Sequence, residues 1–325
     1  MQKRSLLKLM ASAACAAFPL AHAYAESWPA KPMTLVVPWP AGGGTDVIAR
    51  TVATKLQERL GHPFVIENRP GASGIIGTEL VARAPADGYT FVLGVTNTHA
   101  INATFFKQLR YDPKRDFEPV ALLATGPHVV LVNTATPVKN LAEFVAYGQQ
   151  SKTPLSYASY GNGSTAHLIA ALFQARNKLD MVHVPYKGIP PAIADLMGNQ
   201  VSMLVSTTGA ALPQIKAGKL RAIAVIDAQR MPQLPDVPTM SEQGYPDADY
   251  THWYGVFAPA KTPSAIVNRL ASEIQSVLAI PQVQKTFADA GVTANFKNPE
   301  AFRQFVGTEI ERWGKLVELS GVRGD

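Results

Sequence analysis

Between Met33 and Arg50 the chain passes from an apolar run through three consecutive glycines into a helical pattern, and this junction constrains the fold most. Met33-Thr-Leu-Val-Val37 reads as a buried strand, and Pro38 and Pro40 stop it. Gly42-Gly43-Gly44 opens backbone conformations closed to other residues. Thr45 is the expected N-cap. Ile48, Val52, Leu56 and Leu60 then fall on one helical face, and Gly61 ends the helix. Such a loop aims several free N–H groups and the positive end of a helix dipole at one place, which suits a carboxylate or a phosphate. Two nucleotide fingerprints fail here. Val47 stands where the third glycine of G-x-G-x-x-G belongs, and no Gly-Lys-Ser/Thr closes a P-loop. On the loop alone, a tight strand-to-helix turn with Asp46 complementing the dipole stands beside the anion site as an equal reading.

The rest of the chain repeats this grammar. Strands are expected at Phe64 to Glu67 and Tyr89 to Val95, with a helix at Ile75 to Arg83 between them and a loop, Thr96 to Asn102, after them. A second run places strands at His128 to Asn133 and Leu155 to Ser159, with a helix from Asn140 to Tyr147. Tyr160-Gly-Asn-Gly-Ser164 is a second glycine loop, with Ser164 capping a helix that carries Leu168 and Leu172. Short strands at Met181 to Val184, Val201 to Val205 and Ala222 to Ile226 alternate with helices around Ala192 and Ala211. Tyr250 to Ala258 reads as a strand returning to the first half. Thr262-Pro263 opens a helix that stops at Pro281, and Asn298-Pro299 opens a last one. Its stripe of Phe302, Val306, Ile310, Trp313 and Val317 is packing surface. Alternating strands and helices predict an α/β fold with mostly parallel sheets, whose ligands sit outside the carboxyl ends of the strands.

A chain of 325 residues is long enough for two cores. Residues 1–25 are expected to be a secretory signal peptide. Lys3, Arg4 and Lys8 flank an apolar stretch from Leu6 to Leu20, and Ala23-Tyr-Ala25 fits a small-x-small cleavage site. Removing those three cations takes the 30 basic residues to 27, against 24 acidic ones. That balance gives no case for nucleic acid. Cys15, the single cysteine, lies inside the leader, so a thiol nucleophile, a disulfide framework and a thiolate metal site are all excluded from the mature chain.

The histidines at 62, 99, 128, 167, 183 and 252 show no metal-binding spacing, and neither metal nor cofactor is expected. Tyr157-Ala-Ser-Tyr-Gly161 approaches a nucleophile elbow, but a tyrosine occupies the first glycine position. Ser159 is therefore read as structural, and His167 as a hydrogen bonder at a helix start. Trp39, an aromatic between two prolines, either walls a ligand pocket or packs between domains.

Taken together, seven motifs resemble the Bug family of periplasmic solute-binding proteins, receptors of tripartite tricarboxylate transporters. They are Val37-Pro-Trp-Pro-Ala-Gly-Gly-Gly-Thr-Asp46, Glu67-Asn-Arg-Pro-Gly71, Thr96-Asn-Thr-His-Ala-Ile-Asn102, Val184-Pro-Tyr-Lys-Gly188, Gly218-Lys-Leu-Arg-Ala-Ile-Ala-Val225, Leu234-Pro-Asp-Val-Pro-Thr239 and Trp253-Tyr-Gly255. The resemblance implies a type II periplasmic-binding-protein fold of two lobes joined by crossing strands. Residues 26–125 plus 254–325 would form the first lobe and 126–253 the second. It also implies a small carboxylated ligand held between them without chemistry. By motif position the ligand contacts would be Trp39, Ala41, Gly42, Gly43 and Asp46, then Thr96, Asn97 and Thr98. From the second lobe would come Gly163, Ser164, Thr165, His167 and Tyr186, with Ser206 in a variable stretch that helps select the ligand. The family more often carries a smaller aromatic where Trp39 stands. The implied partners are the membrane subunits of such a transporter, with the protein itself a periplasmic monomer. Two glycine loops favour a dicarboxylate over an amino acid, whose ammonium group would need Asp46. A periplasmic sensor serving a membrane kinase and a secreted hydrolase are the competing classes.

Overall fold

The computed structural model describes residues 28–324 apart from Asp247 and Asp249; the expected signal segment, 1–25, lies outside the described residues. The chain begins with β1 (Met33–Val37), α1 (Gly44–Leu60), β2 (Phe64–Asn68), α2 (Ile75–Ala82) and β3 (Thr90–Val95). A π-helical turn, Asn97–Ile101, runs directly into α3 (Asn102–Phe105), and β4 (Phe117–Gly126) follows. The middle of the chain holds β5 (His128–Asn133), α4 (Leu141–Gln150), β6 (Leu155–Ser159), α5 (Thr165–Asn177), β7 (Met181–Pro185), α6 (Ile189–Met197), β8 (Met203–Thr207), α7 (Thr208–Lys216) and β9 (Leu220–Ile226). The return comprises β10 (His252–Pro259), α8 (Ser264–Leu278), α9 (Pro281–Asp289), β11 (Thr293–Lys297) and α10 (Pro299–Ser320).

Two sheets result. The first has the order β11-β4-β10-β3-β1-β2, the second β7-β6-β8-β5-β9. In the first, β1, β2, β3 and β4 point one way, while β10 and β11 run against them. In the second only β5 runs against its neighbours. The chain crosses between sheets twice, from Gly126 to His128 and from Ile226 to His252. Each sheet is therefore mixed, not mostly parallel as expected, because the crossing strands β5 and β10 run against both of their neighbours; helices cover the faces, and the two halves meet along β4–β5 and β10.

The apolar periodicity of α1 buries Ile48, Val52, Leu56 and Leu60 beneath it, in one cluster with Val267, Leu270 and Ile274 of α8. Gly61 terminates the helix in the left-handed conformation. A larger cluster spans both halves: Phe302, Val306 and Trp313 of α10 pack in it with Leu168 and Phe173 of α5. The last helix thus fastens the halves together, as its apolar stripe implies. Glu309, 4 % exposed, accepts hydrogen bonds from the indoles of Trp253 at 3.1 Å and Trp313 at 2.9 Å.

Several local expectations change. The N-cap of α1 is Gly43, not Thr45, and no side chain caps it. Thr96 to Asn102 is not a loop: its residues are helical and buried. Three elements were not anticipated. β4 contains Pro119, which has no N–H to give a ladder; it pairs with Phe257 where the register slips. Pro281, read as a stop, instead opens α9, because the first helical position needs no donor. β11 is an edge strand whose short apolar face is only Ala294 and Phe296.

Candidate functional site

Three acceptor contacts on one carboxylate shape the glycine loop. Asp46 accepts from the Gly42 N–H at 3.0 Å, from Arg50 Nε at 2.8 Å and from Asn68 Nδ2 at 3.0 Å. Asn68 also donates to the Trp39 carbonyl at 3.1 Å. Burial works against the charge on Asp46, but the Arg50 bond, the Gly42 N–H and Asn68 outweigh it and hold the carboxyl below its usual value. Gly42 sits at φ +81°, which the three-glycine run makes available. The aspartate is thereby folded back on its own loop.

Gly42–Thr45, at the start of α1, line a cleft of about 600 Å³ between the two halves. Its first wall is Trp39 with Gly42–Thr45, then Thr96 and Asn97 at the start of the π-helical turn. The crossing strand β10 contributes His252 and Tyr254. The facing wall is Tyr160, Gly188–Pro190, Ile193 and Met197, with Thr207, Gly209, Ala210 and Pro213 from the β8–α7 junction; Asp289 and Ala290 stand at the far end. Trp39 meets Tyr160 edge-to-face at 6.1 Å, so it walls the cleft and packs between the halves at once. Tyr254 bonds Thr45 and His252 Nε2, the latter at 2.8 Å, and burial pushes its phenol far up. No lysine or arginine lines the cleft among the described residues.

The halves touch around this cleft. Asn97 Nδ2 donates to the Gly163 carbonyl at 3.2 Å, and Ser73 Oγ to the Asn162 carbonyl at 2.6 Å. On the opposite rim Thr208 Oγ1 donates to the Gly291 carbonyl at 2.6 Å, and a Cβ on Gly209 would overlap the Ala290 carbonyl oxygen.

Of the residues carried over from sequence, Trp39, Gly42, Gly43, Thr96 and Asn97 line the cleft. Ala41 is exposed on the outer turn of the loop, and Asp46 is committed as described. Thr98 is fully buried and bonds the Val95 carbonyl at 3.1 Å. Gly163, Ser164, Thr165 and His167 stand beyond Tyr160. Ser164 caps α5 as expected, accepting from the His167 N–H at 3.3 Å. Thr165 Oγ1 bonds the Tyr160 hydroxyl and His128 Nε2, the latter at 2.9 Å. His167 accepts from the Gly163 N–H at 3.2 Å and stacks on His183 at 3.8 Å. Burial first, then His183, pushes His167 down to about 3. Tyr186 donates to Asp195 at 2.6 Å, and Ser206 is buried, donating to the Thr207 carbonyl. The wall formed by α6 and α7 was missed. Its signal was present as a third strand–glycine–helix start, Val184 to Ile189, read only as a family motif.

Ser159 does have a histidine beside it, with Oγ 2.7 Å from His183 Nε2. The serine is fully buried, exchanges bonds with the Gly161 backbone and lies outside the cleft, so no substrate carbonyl reaches it. Among the described residues no group of three His, Cys, Asp or Glu is placed to hold a metal. None of their helices is long and apolar enough to cross a membrane.

Comparison with known proteins agrees with this architecture. A profile for the tripartite tricarboxylate transporter family receptor, TctC, matches residues 48–322. The structure of the periplasmic binding protein BugD is 35 % identical, with a TM-score of 0.86, over 92 % of this chain and all of BugD. Rpa4515 of Rhodopseudomonas palustris, determined with adipate, is 36 % identical with a TM-score of 0.87, over 91 % of this chain and 99 % of its own. MatC of the same organism, with bound malate, is 34 % identical with a TM-score of 0.84, over 89 % of this chain and all of MatC. The chain belongs to the tripartite tricarboxylate transporter receptor family, whose members are periplasmic solute-binding receptors.

Proposed function

We propose that the leader exports this chain to the periplasm, where it captures a small organic acid between its halves and delivers it to the membrane subunits of a tripartite tricarboxylate-type transporter. The observation that carries this reading is the cleft wall at Gly42–Thr45 and Thr96–Asn97. There two helical starts meet the cleft, and no lysine or arginine lines it among the described residues. A carboxylate seated there is held by main-chain N–H groups, hydroxyls and bridging water instead of by a salt bridge. Each charge-assisted bond contributes roughly 1.5–3 kcal/mol, and the helix dipole up to about 2 kcal/mol in a partly buried setting. A few such terms, less the cost of association, support affinity on the order of micromolar. The adipate bound by Rpa4515 and the malate bound by MatC are acids of this class.

The test is native mass spectrometry of the protein isolated from its own periplasm, followed by calorimetric titration of the acid it carries. A carboxylate adduct of one-to-one stoichiometry, lost in Gly43→Asp, is the expected result. A protein that binds no carboxylate in any titration overturns the reading.

A further inference from the structure

The cleft has two unlike walls, and the difference narrows the ligand class. This inference rests on the receptor reading above. One wall holds the helix starts at Gly42–Thr45 and Thr96–Asn97. The other holds the apolar side chains of Ile189, Pro190, Ile193, Met197 and Pro213.

That wall is poorly equipped for a second anion. Pro190 and Pro191 occupy the first turn of α6 and carry no N–H, so this helix start has lost two of its free donors. The start of α7 abuts the Ala290 carbonyl, which already fills the approach to Gly209. The one charged side chain lining the cleft among the described residues is acidic: Asp289, 2.6 Å from Lys285. The second glycine loop, which favoured a dicarboxylate, reaches the cleft only through Tyr160.

The rims are already bridged by Ser73–Asn162 and Thr208–Gly291, yet about 600 Å³ remains. At roughly 30 Å³ per water this is space for about 20 waters. Filling it with water against an apolar wall gains nothing, whereas filling it with hydrocarbon releases that water.

We propose that the ligand is an amphipathic monocarboxylate, with its carboxylate against Gly42–Thr45 and an aryl or branched-alkyl body against Ile193 and Met197.

The experiment is calorimetric titration of the mature protein with phenylacetate and 4-methylpentanoate on one side, and succinate, malate and adipate on the other. The expected result is that a member of the first pair binds at least about tenfold more tightly than every diacid, since hydrophobic pockets discriminate by that order per group. Met197→Gln, which keeps the length of a half-exposed side chain, is expected to lower the affinity ratio of phenylacetate to acetate by about tenfold. An unchanged ratio overturns the proposal. Diacids binding as well as or better than the monoacids also overturn it and leave the receptor reading intact. Binding of neither group overturns the proposal, and the receptor reading is then decided by whether any carboxylate co-purifies with the protein.

Discussion

Asn68 Nδ2 lies 3.0 Å from Asp46 Oδ1, so the end of β2 and the start of α1 are tied through one carboxylate that also holds the Gly42 N–H. The aspartate beside the glycine loop is thereby a brace for the loop. Its charge is balanced by Arg50 at 2.8 Å.

Replacing Asp46 with alanine strips the acceptor from Gly42 and Asn68 together. Each donor left unpaired costs about 1–3 kcal/mol where it is buried; Asn68 and Gly42 are partly open to water, so the lower end applies. Urea unfolding of Asp46→Ala is expected to show a loss of about 1–2 kcal/mol, and Asp46→Asn a smaller one. Equal stability of Asp46→Ala and the parent would show that the brace does not matter.

The strand–glycine–helix units were legible because their signals are local. Apolar runs, glycine and a capping residue lie within a few positions, and Asn140, Ser164 and Asn298 cap their helices as their types predict. The elements that escaped depend on distant partners. β4 reads poorly because of Pro119, and it becomes a strand by lying between β10 and β11. Thr96 to Asn102 carries polar residues typical of loops, yet Thr96 accepts from the Trp253 N–H at 2.9 Å and Asn102 donates to Tyr111 at 3.2 Å. In the site, the Gly42 loop and Thr96–Asn97 could be named from sequence. Met197, Pro213 and Ala290 could not, since only the approach of three separate segments makes them neighbours.

The rim at Gly209 gives a prediction about closure. This glycine lies in the first turn of α7, where alanine suits the helix, but its Cβ would overlap the Ala290 carbonyl of the other half. Overpacking of this kind costs about 1–3 kcal/mol, charged only to the closed arrangement. Gly209→Ala is expected to keep its unfolding midpoint while losing about tenfold in ligand affinity for each 1.4 kcal/mol. Small-angle scattering should show weaker compaction on ligand addition. Unaltered affinity would mean that the rims do not meet in the bound state.

Asn97 offers a milder version of the same test. Its bond to the Gly163 carbonyl links the halves at 3.2 Å, and Gly163 itself, at φ +69°, has no room for a Cβ beside Phe105. Asn97→Ala removes one bond of about 0.5–1.5 kcal/mol. Affinity should weaken roughly two- to tenfold, chiefly through faster ligand release in stopped-flow measurements. An unchanged dissociation rate would count against Asn97 as a latch.

The final prediction concerns acid. Burial pushes His99 down to about 3 and His128 to about 4, and holds His252 well below its usual value, with His128 adding to the effect. His99 stacks on Phe257 at 3.9 Å and its Nε2 has no partner, so a proton there would enter an apolar site. In the unfolded chain these rings take up protons near pH 6.5, whereas in the folded chain His128 resists until about pH 4 and His99 until about pH 3. The unfolded state therefore binds more protons in that window. Stability is full above about pH 6.5 and falls as the pH drops toward the folded values, by up to about 1.4 kcal/mol per pH unit for each histidine. Urea-unfolding free energies measured from pH 7.5 to 5 should decline steeply below pH 6.5. His99→Phe, which keeps a ring against Phe257 but cannot titrate, should flatten the decline by about one histidine's share. A pH-independent unfolding free energy across this range would show that the buried rings do not set the acid limit. An undiminished slope in His99→Phe would clear His99 alone and leave His128, His167, His183 and His252, all held down by burial, as the groups that take up the protons.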